Sequence, residues 1–197
     1  MFTEVTRALR PAFVLLLLLA AVTGLAYPAL ITGVGQLAMP FQANGSLVRD
    51  GERVVGSELI AQGFTSQRYF QPRPSAAGKG YDASSTAATN LAPGSKDLRD
   101  AIATRVADAR AQGMTGGIVP ADLVTTSASG LDPDLSPEAA FSQAPRIARA
   151  RGLGEARVRA LVDSRIEYPL LGMVGERRVN VLLLNRQLDR MASNTSR

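Results

Sequence analysis

The chain has 197 residues, of which 46% are hydrophobic and 20% are charged, so it can fill the core of about one domain. It contains no cysteine, histidine or tryptophan, which excludes disulfide scaffolds, thiolate metal sites, cysteine nucleophiles and Ser-His-Asp catalysis. The net charge is +5, and the 22 basic residues are interleaved with 17 acidic ones. We therefore predict an ordinary solvated surface, no nucleic-acid partner, no metal site and no catalytic residue.

The strongest local feature is an uncharged stretch that runs from Pro11 through Val48. Within it, the apolar run Ala12–Ile31 has the roughly 20 residues that a helix needs to cross a hydrocarbon core. A helix is the form in which a single segment satisfies its backbone in lipid. The chain is therefore predicted to comprise an N-terminus at 1–11, a transmembrane helix and membrane exit at 12–38, and a soluble domain at 39–197.

The basic residues that flank this span indicate its orientation. Arg7 and Arg10 precede it, and no Lys or Arg follows until Arg49. The positive-inside rule then places the N-terminus in the cytoplasm and the soluble domain on the exported, periplasmic side of the inner membrane.

A cleaved signal peptide is the alternative interpretation of the same segment. Val14–Val22 would be its apolar region and Gly24–Ala26 its small-residue cleavage site. The apolar stretch continues to Leu37, which favours a retained anchor. Pro28 is expected to kink or end the regular span, because it lacks an N–H.

The first elements after the membrane exit are predicted from turn residues. Asp50-Gly51-Glu52 lies between short apolar runs, which predicts a β-hairpin. Residues 57–63 are expected to form a short helix. Gln71 to Ser95 is rich in Pro, Gly, Ser, Thr and Ala without periodicity, which predicts a long irregular loop.

The next segment is predicted to be an amphipathic helix from Ser95 to Gln112. Ser95 can cap its N-terminus, and Gly113 can end it. A short strand is expected around Leu123–Thr125.

The C-terminal part is predicted to contain two more helices, a buried strand and a short final helix. The first helix begins with Ser136 as its cap, and Pro145 should kink it. The second helix covers about 155–167, and residues 178–184 form the strand. The irregular alternation of helices and strands indicates an α+β (mixed) fold, anchored by a single N-terminal transmembrane helix.

The segment between Thr125 and Glu138 is the densest in polar residues. Its hydroxyls and the helix N-terminus that follows could hold an anion, although a strand-to-helix loop with ordinary caps is the simpler interpretation. Asp132 and Asp134 could bind a hard cation, but two acidic residues in a turn more often form Asx turns.

Blocks of sequence over residues 30–189 occur together and in order. The blocks are Leu30–Leu37, Gln42–Ser46, Val55–Ile60, Arg73–Ala77, Val119–Thr125, Ser127–Pro133 and Val179–Val181. In this combination they resemble the C subunits of Kdp-type potassium-transporting P-type ATPases. One departure is Asp134, where many relatives carry histidine, so no role of that imidazole transfers to this chain.

The resemblance implies a non-catalytic accessory subunit of an ATP-driven potassium uptake pump. Its implied partners are an ATP-hydrolysing P-type subunit, a potassium-channel-like subunit, a small single-helix subunit and membrane lipid. The family role is that of a catalytic chaperone that raises the ATP affinity of the ATP-hydrolysing subunit and stabilises the complex. No tightly bound cofactor is implied, and ATP would be met only through the complex. The positions likened to nucleotide contacts are Ser127, Ser129, Gly130 and Gln143.

The predicted topology conflicts with direct nucleotide contact, because cytoplasmic ATP does not reach an exported domain. We expect the segment 127–143 to be a surface loop that leads into a helix and contacts a partner or a nucleotide. Close helix packing in the membrane is expected at small residues, which are Gly24, Thr32, Gly33 and Gly35. The rival hypothesis is a membrane-anchored, exported binding protein or hydrolase that acts alone.

Overall fold

A computed structural model describes residues 2–114, 117–169, 172 and 175–195. The chain divides into two compact units, Met1–Leu47 and Val48–Arg197, and we describe each by itself.

The first unit is almost entirely helical. Helix α1 (Phe2–Ala21) continues through a π-helical turn (Val22–Ala26) into α2 (Tyr27–Ala38). Its 33 residues from Thr6 to Ala38 are long and apolar enough to cross a membrane, and none of the apolar window is buried inside the unit. The predicted span therefore lies within one longer helix, which is what a lipid-embedded anchor requires.

Pro28 does not end this helix. It occupies the first turn of α2, directly after the π-helical turn, where the Tyr27 N–H bonds to the Val22 carbonyl five residues back. The Thr23 hydroxyl also donates to the Leu19 carbonyl, at 2.7 Å. A wider turn gives the proline ring room next to the carbonyl four residues before it, so the helix continues.

A short helix, α3 (Pro40–Ala43), follows the apolar helix and folds back against its end. The Asn44 and Gln36 side-chain amides bond to each other, with Asn44 Nδ2 3.1 Å from Gln36 Oε1. Asn44 Nδ2 also donates to the Pro40 carbonyl. This unit therefore ends in an ordered polar turn.

The predicted hairpin is present and is formed by β1 (Leu47–Asp50) and β2 (Arg53–Ser57). The predicted helix at 57–63 is wrong: residues 58–60 form turns and bends. The Ala61 N–H bonds instead to the Leu131 carbonyl at 2.9 Å, so a long-range contact replaces the bond that a helix would need.

Residues 71–95 contain no helix or strand, as predicted, and α4 (Lys96–Ala111) follows them. The Ser95 hydroxyl accepts the Leu98 N–H at 3.2 Å, which confirms the predicted cap. The strand expected around 123–125 is wrong, because Ala121–Leu123 is a 3₁₀ turn. The Thr125 N–H and hydroxyl both bond to the Ala121 carbonyl, which closes the turn locally.

Helices α5 (Pro137–Arg151) and α6 (Glu155–Asp163) pack against each other. Helix α5 continues through Pro145 and ends at Gly152, which adopts the left-handed conformation with φ 67°. Helix α6 ends before the predicted residue 167, because Glu167 forms an antiparallel bridge with Arg178.

The predicted strand at 178–184 is mostly wrong. Strand β4 (Val179–Asn180) is two residues long, and helix α7 (Val181–Thr195) begins at the next residue. The Asn180 side chain accepts the Leu183 N–H at 3.1 Å and so caps the new helix. Strand β4 pairs antiparallel with β3 (Asp134–Leu135), with Asp134 opposite Asn180.

The fold is thus a mixture of helices and short strands, with most of the core on α5, α6 and α7. The main cluster of buried apolar side chains comes from these helices, from β3 and β4, and from the loop residue Phe70. The wide separation of these residues in sequence means that the core forms only when Phe70 is brought to the helices.

Candidate functional site

The polar segment between Val124 and Ser136 connects the 3₁₀ turn to α5. The Ser136 hydroxyl accepts the Ala139 N–H at 3.2 Å, and the Asp122 carboxylate accepts the Ser136 N–H at 2.7 Å. The predicted cap of this helix is confirmed, and a second side chain holds the capping residue in place.

Ser127 and Ser129 mainly shape the segment itself. The buried Ser127 hydroxyl accepts the Gly130 N–H at 2.9 Å, and the exposed Ser129 hydroxyl accepts the Leu131 N–H at 3.1 Å. These bonds are local serine turns, which agrees with the simpler of the two sequence interpretations.

Gly130 lies where two loops come closest together. Its φ is 68°, and a Cβ at this position would lie 2.7 Å from the Ala77 nitrogen and 2.8 Å from the Ala87 oxygen. Both atoms belong to backbone, so they cannot move aside independently. Only glycine fits this position.

The long loop 71–95 is attached to the polar segment by hydrogen bonds. Ser75 Oγ donates to the Gly130 carbonyl at 2.6 Å and accepts the Tyr81 N–H at 2.8 Å. The Ser129 carbonyl accepts the Thr86 hydroxyl at 2.7 Å. The Tyr81 hydroxyl donates to the Arg73 carbonyl, and burial raises the pKa of that tyrosine.

Ser127 and Ser129 also line an open depression of about 540 Å³. Arg73 and Asp132 form an ion pair there at 3.1 Å, and the exposed side chain of Leu59 contributes apolar surface. This depression is the part of the predicted site that a partner can reach. Gly130 and Gln143 are not among its lining residues.

Gln143 lies inside the protein, contrary to the expected surface position. It is 0% exposed, and its amide forms a matched pair of bonds with the Gln71 backbone: Nε2 donates to the carbonyl at 3.0 Å, and Oε1 accepts the N–H at 2.8 Å. Oε1 also accepts from Arg146 at 2.7 Å. The amide groups of Gln143 are therefore engaged within the chain.

Gln143 belongs to a group of side chains that hold residues 67–71, which we call the strap. The Asn185 amide makes the same matched pair of bonds with the Phe70 backbone, at 2.8 and 2.9 Å. Arg146 donates to the carbonyls of Gln67 and Tyr69, at 2.6 and 3.0 Å. We call Gln143, Arg146 and Asn185 the clamp residues, because they supply the bonds that a neighbouring strand would supply.

The electrostatics of the clamp are unusual, because Arg146 is buried without a carboxylate partner among the described residues. Burial lowers its pKa to about 10, so the guanidinium still carries its charge at neutral pH. Arg151, on the same helix, donates to the Arg68 carbonyl, pairs with Asp189 at 2.8 Å and stacks on the Tyr69 ring. Two arginines thus fix the strap through its carbonyls.

Asp134 lies in β3 near three other charged groups, which are Arg178, Glu167 and Asp132. Burial raises the pKa of its carboxyl, and Arg178, at 3.3 Å, opposes that effect. Arg178 also pairs with Glu167, and Asn180 Nδ2 lies 3.3 Å from Asp134 Oδ1. The group joins β3 to β4.

Four small residues are predicted for the membrane interface. Gly24, Thr32 and Gly33 are exposed on the apolar helix, and Gly35 is partly covered by its own unit. A Cβ at Gly24 or Gly33 would meet no atom within 4 Å, and one at Gly35 would lie 3.8 Å from the Ala43 Cβ. Larger side chains are therefore tolerated within the unit itself.

The predicted nucleotide-contacting residues do not form one cluster. Ser129 is exposed, whereas Gln143 is buried among its own partners. No phosphate-binding glycine loop accompanies them in the sequence. Among the described residues, no three acidic side chains are grouped as a metal site.

Sequence reasoning missed the clamp. One signal was present: Asn185 and Gln143 each occupy a helix position whose neighbours one turn away, such as Leu188 and Ala139, are apolar and buried. A polar residue on an apolar helix face needs an internal partner. The partner itself could not be named, because the strap is more than 70 residues away from Gln143 in the chain.

Comparison with known proteins gives a consistent result. The family described as "K+-transporting ATPase, c chain" matches residues 9–190. A potassium-transporting ATPase KdpC subunit of Caulobacter vibrioides is 54% identical over 182 residues, which are 92% of each chain. Proteins of the same name are 53% identical in Myxococcus xanthus, over 96% of this chain and 89% of the relative, and 52% identical in Rhodospirillum rubrum, over 93% and 95%.

Proposed function

Because the chain belongs to the KdpC family, the c chains of K+-transporting ATPases, we propose that it serves its pump as a non-catalytic accessory subunit. In this role it raises the ATP affinity of the ATP-hydrolysing subunit and stabilises the complex. The observation that carries the proposal is the match of residues 9–190, which includes both the apolar helix and the globular unit.

The partners we propose are the ATP-hydrolysing P-type subunit, a potassium-channel-like subunit and a small single-helix subunit, with lipid around the anchor. The composition supports a non-catalytic role, because the chain has neither histidine nor cysteine. Its contribution is then to bind and position other subunits.

We place the globular unit on the exported side of the inner membrane. Arg7 and Arg10 lie before the apolar helix, and the next basic residue is Arg49. On that side the unit does not meet cytoplasmic ATP. Its effect on ATP affinity would therefore travel through the complex, and the clamp residues and Ser127, Ser129 and Gly130 would act by shaping the surface that contacts the pump.

The decisive experiment is purification of the pump with and without this chain. We expect the tagged chain to recover both large subunits in stoichiometric amounts. We also expect the complex without it to need a higher ATP concentration for half-maximal hydrolysis. Recovery of the chain alone, or an unchanged ATP requirement, would contradict the proposal.

Orientation and ATP contact can be tested together in sealed, right-side-out vesicles. A reporter fused after the C-terminus should be active only outside the cytoplasm, and photoreactive ATP supplied on the cytoplasmic side should label the ATP-hydrolysing subunit. Labelling at Gln143 would support direct nucleotide contact and reverse the orientation. A mature N-terminus at Tyr27 would show that the segment is a signal peptide.

We propose that Gly24, Thr32, Gly33 and Gly35 allow the helix to pack closely against another helix of the pump. Gly33→Leu should lower recovery of the intact complex, whereas Gly33→Ala should preserve most of it, because the volume added is small. Recovery of the complex at the wild-type level with Gly33→Leu would exclude this face from the interface.

A further inference from the structure

A groove on the globular unit is separate from the strap and from the depression at Ser127. It has a volume of about 360 Å³, and we call it the basic groove. Its lining combines apolar residues of the α4–3₁₀ connection and of α5 with two arginines, one from α5 and one from α6. They include Met114, Ile118, Phe141, Pro145, Arg149 and Arg159.

The apolar part of the groove is open to solvent. Ile118 is 94% exposed, the highest value among the large hydrophobic side chains described for the globular unit. Phe141 and Pro145 lie one turn apart on α5 and form the wall beside it. A single exposed hydrophobic residue is ordinary, but one placed in a groove beside other apolar side chains favours a binding role.

The charge of the groove has one sign, because its lining residues include two arginines and no carboxylate. Arg159 lies 5.7 Å above the Phe141 ring and shares its charge with Glu155, at 2.8 Å. Arg149 forms no ion pair with a carboxylate of the described residues; its Nε donates to the Pro145 carbonyl.

The Arg149 guanidinium lies close to Gly113. This glycine has a φ of 96°, and a Cβ there would overlap the guanidinium. Arg149 as a whole is exposed, so its charge can reach a bound anion.

We propose that the basic groove binds a segment of another pump subunit in which an aspartate or glutamate lies next to a large apolar side chain. The apolar side chain would cover Ile118 and Phe141, and the carboxylate would pair with Arg149. This inference rests on the proposed function, since it takes the partner from the pump complex. Charge complementarity is what selects an acidic segment.

The test uses the purified complex with a photo-crosslinking amino acid at position 118. Position 99, an exposed arginine on α4 outside the groove, serves as the matched control. We expect position 118 to crosslink to a peptide of another pump subunit that contains Asp or Glu beside an apolar residue. Arg149→Glu should reduce that crosslink by about tenfold, whereas Arg99→Glu should leave it unchanged.

The outcomes separate this inference from the proposed function. If the complex assembles but position 118 crosslinks only to lipid, to a second copy of the chain or to nothing, the groove proposal is wrong and the subunit role stands. A crosslink that Arg149→Glu does not weaken would also overturn it. If the wild-type chain recovers no large subunit, both proposals fail.

Discussion

Helices α5 to α7 and the strap are stabilised by different kinds of interaction. Each helix satisfies its own backbone, and apolar side chains such as Ile147, Val162 and Leu184 hold the helices together. The strap has no strand partner, and polar side chains from those same helices satisfy its backbone. The comparison shows that side chains can take over the hydrogen bonds that a neighbouring strand would make to an irregular segment.

The two arrangements differ in how they fail. A helix has many equivalent backbone bonds, so the loss of one side chain leaves its hydrogen bonding intact. In the strap, one side chain serves both backbone groups of a residue, as Gln143 does for Gln71 and Asn185 does for Phe70. Removal of such a side chain leaves several buried or half-buried polar groups without partners at once.

The largest effect is therefore expected from Gln143→Ala. It leaves the Gln71 N–H and carbonyl unpaired, removes an acceptor from Arg146 and creates a cavity. The free energy of unfolding should fall by about 3 kcal/mol or more. Urea unfolding followed by tyrosine fluorescence measures it.

Gln187→Ala is the matched control, because Gln187 lies half-buried on α7 outside the clamp. It should change the free energy of unfolding by less than about 1 kcal/mol. Equal effects of the two substitutions would show that the strap does not depend on its clamp. In the assembled pump, Gln143→Ala should alter complex recovery together with stability.

The second prediction concerns the attachment of the long loop. Gly130 and Gly152 have almost the same φ, 68° and 67°, but only Gly130 has backbone atoms where a Cβ would lie. Gly152→Ala should lower the free energy of unfolding by about 1 kcal/mol through conformational strain, and Gly130→Ala should lower it by distinctly more. Limited proteolysis should then cleave within 75–87 faster in the Gly130 variant alone.

Similar stability of the two glycine variants would mean that the loop can move away from the polar segment without cost. That result would contradict the proposal that Gly130 helps to shape the surface formed by the polar segment and the loop. The same result would say nothing about the clamp, since the strap makes separate contacts.

The third prediction tests the helical side of the comparison. Ser136→Ala removes the cap of α5 and should lower the free energy of unfolding by about 1 kcal/mol. Ser142→Ala, in the middle of the same helix, removes only a bond to the Ala139 carbonyl and should be nearly neutral. If Ser142→Ala costs as much as Ser136→Ala, the cap is not what stabilises this end.

Elements that are defined by local patterns were predictable from the sequence. The hairpin around Gly51, the capped helix after Ser95, the helix after Ser136 and the apolar helix all occur where the pattern puts them. In each case neighbouring residues in the chain supply both the turn chemistry and the periodicity.

The failures have a different physical origin. The run Val181–Leu184 is equally consistent with a buried strand or a helix, and the capping bond from Asn180 to Leu183 decides for the helix. Residues 57–63 do not form the predicted helix, because the Ala61 N–H bonds to the Leu131 carbonyl instead. The clamp depends on contacts across 72 to 115 residues, which no local pattern encodes.

The smallest effect is expected where β3 meets β4, and it concerns pH. Burial raises the pKa of Asp134 above its ordinary value of 3.8, so the folded state holds this proton more tightly than the unfolded state does. Stability from this group is then complete below the ordinary pKa and is lost as the pH rises through the raised one. Asp134→Asn should remove that loss: its advantage in free energy of unfolding over the wild type should grow as the pH rises through this window and then stay constant.

Arg178→Gln removes the charge that opposes the shift, so in that background the window should extend to higher pH. Urea unfolding at a series of pH values measures both, and an advantage that shrinks with rising pH would show that the ion pair with Arg178 outweighs burial.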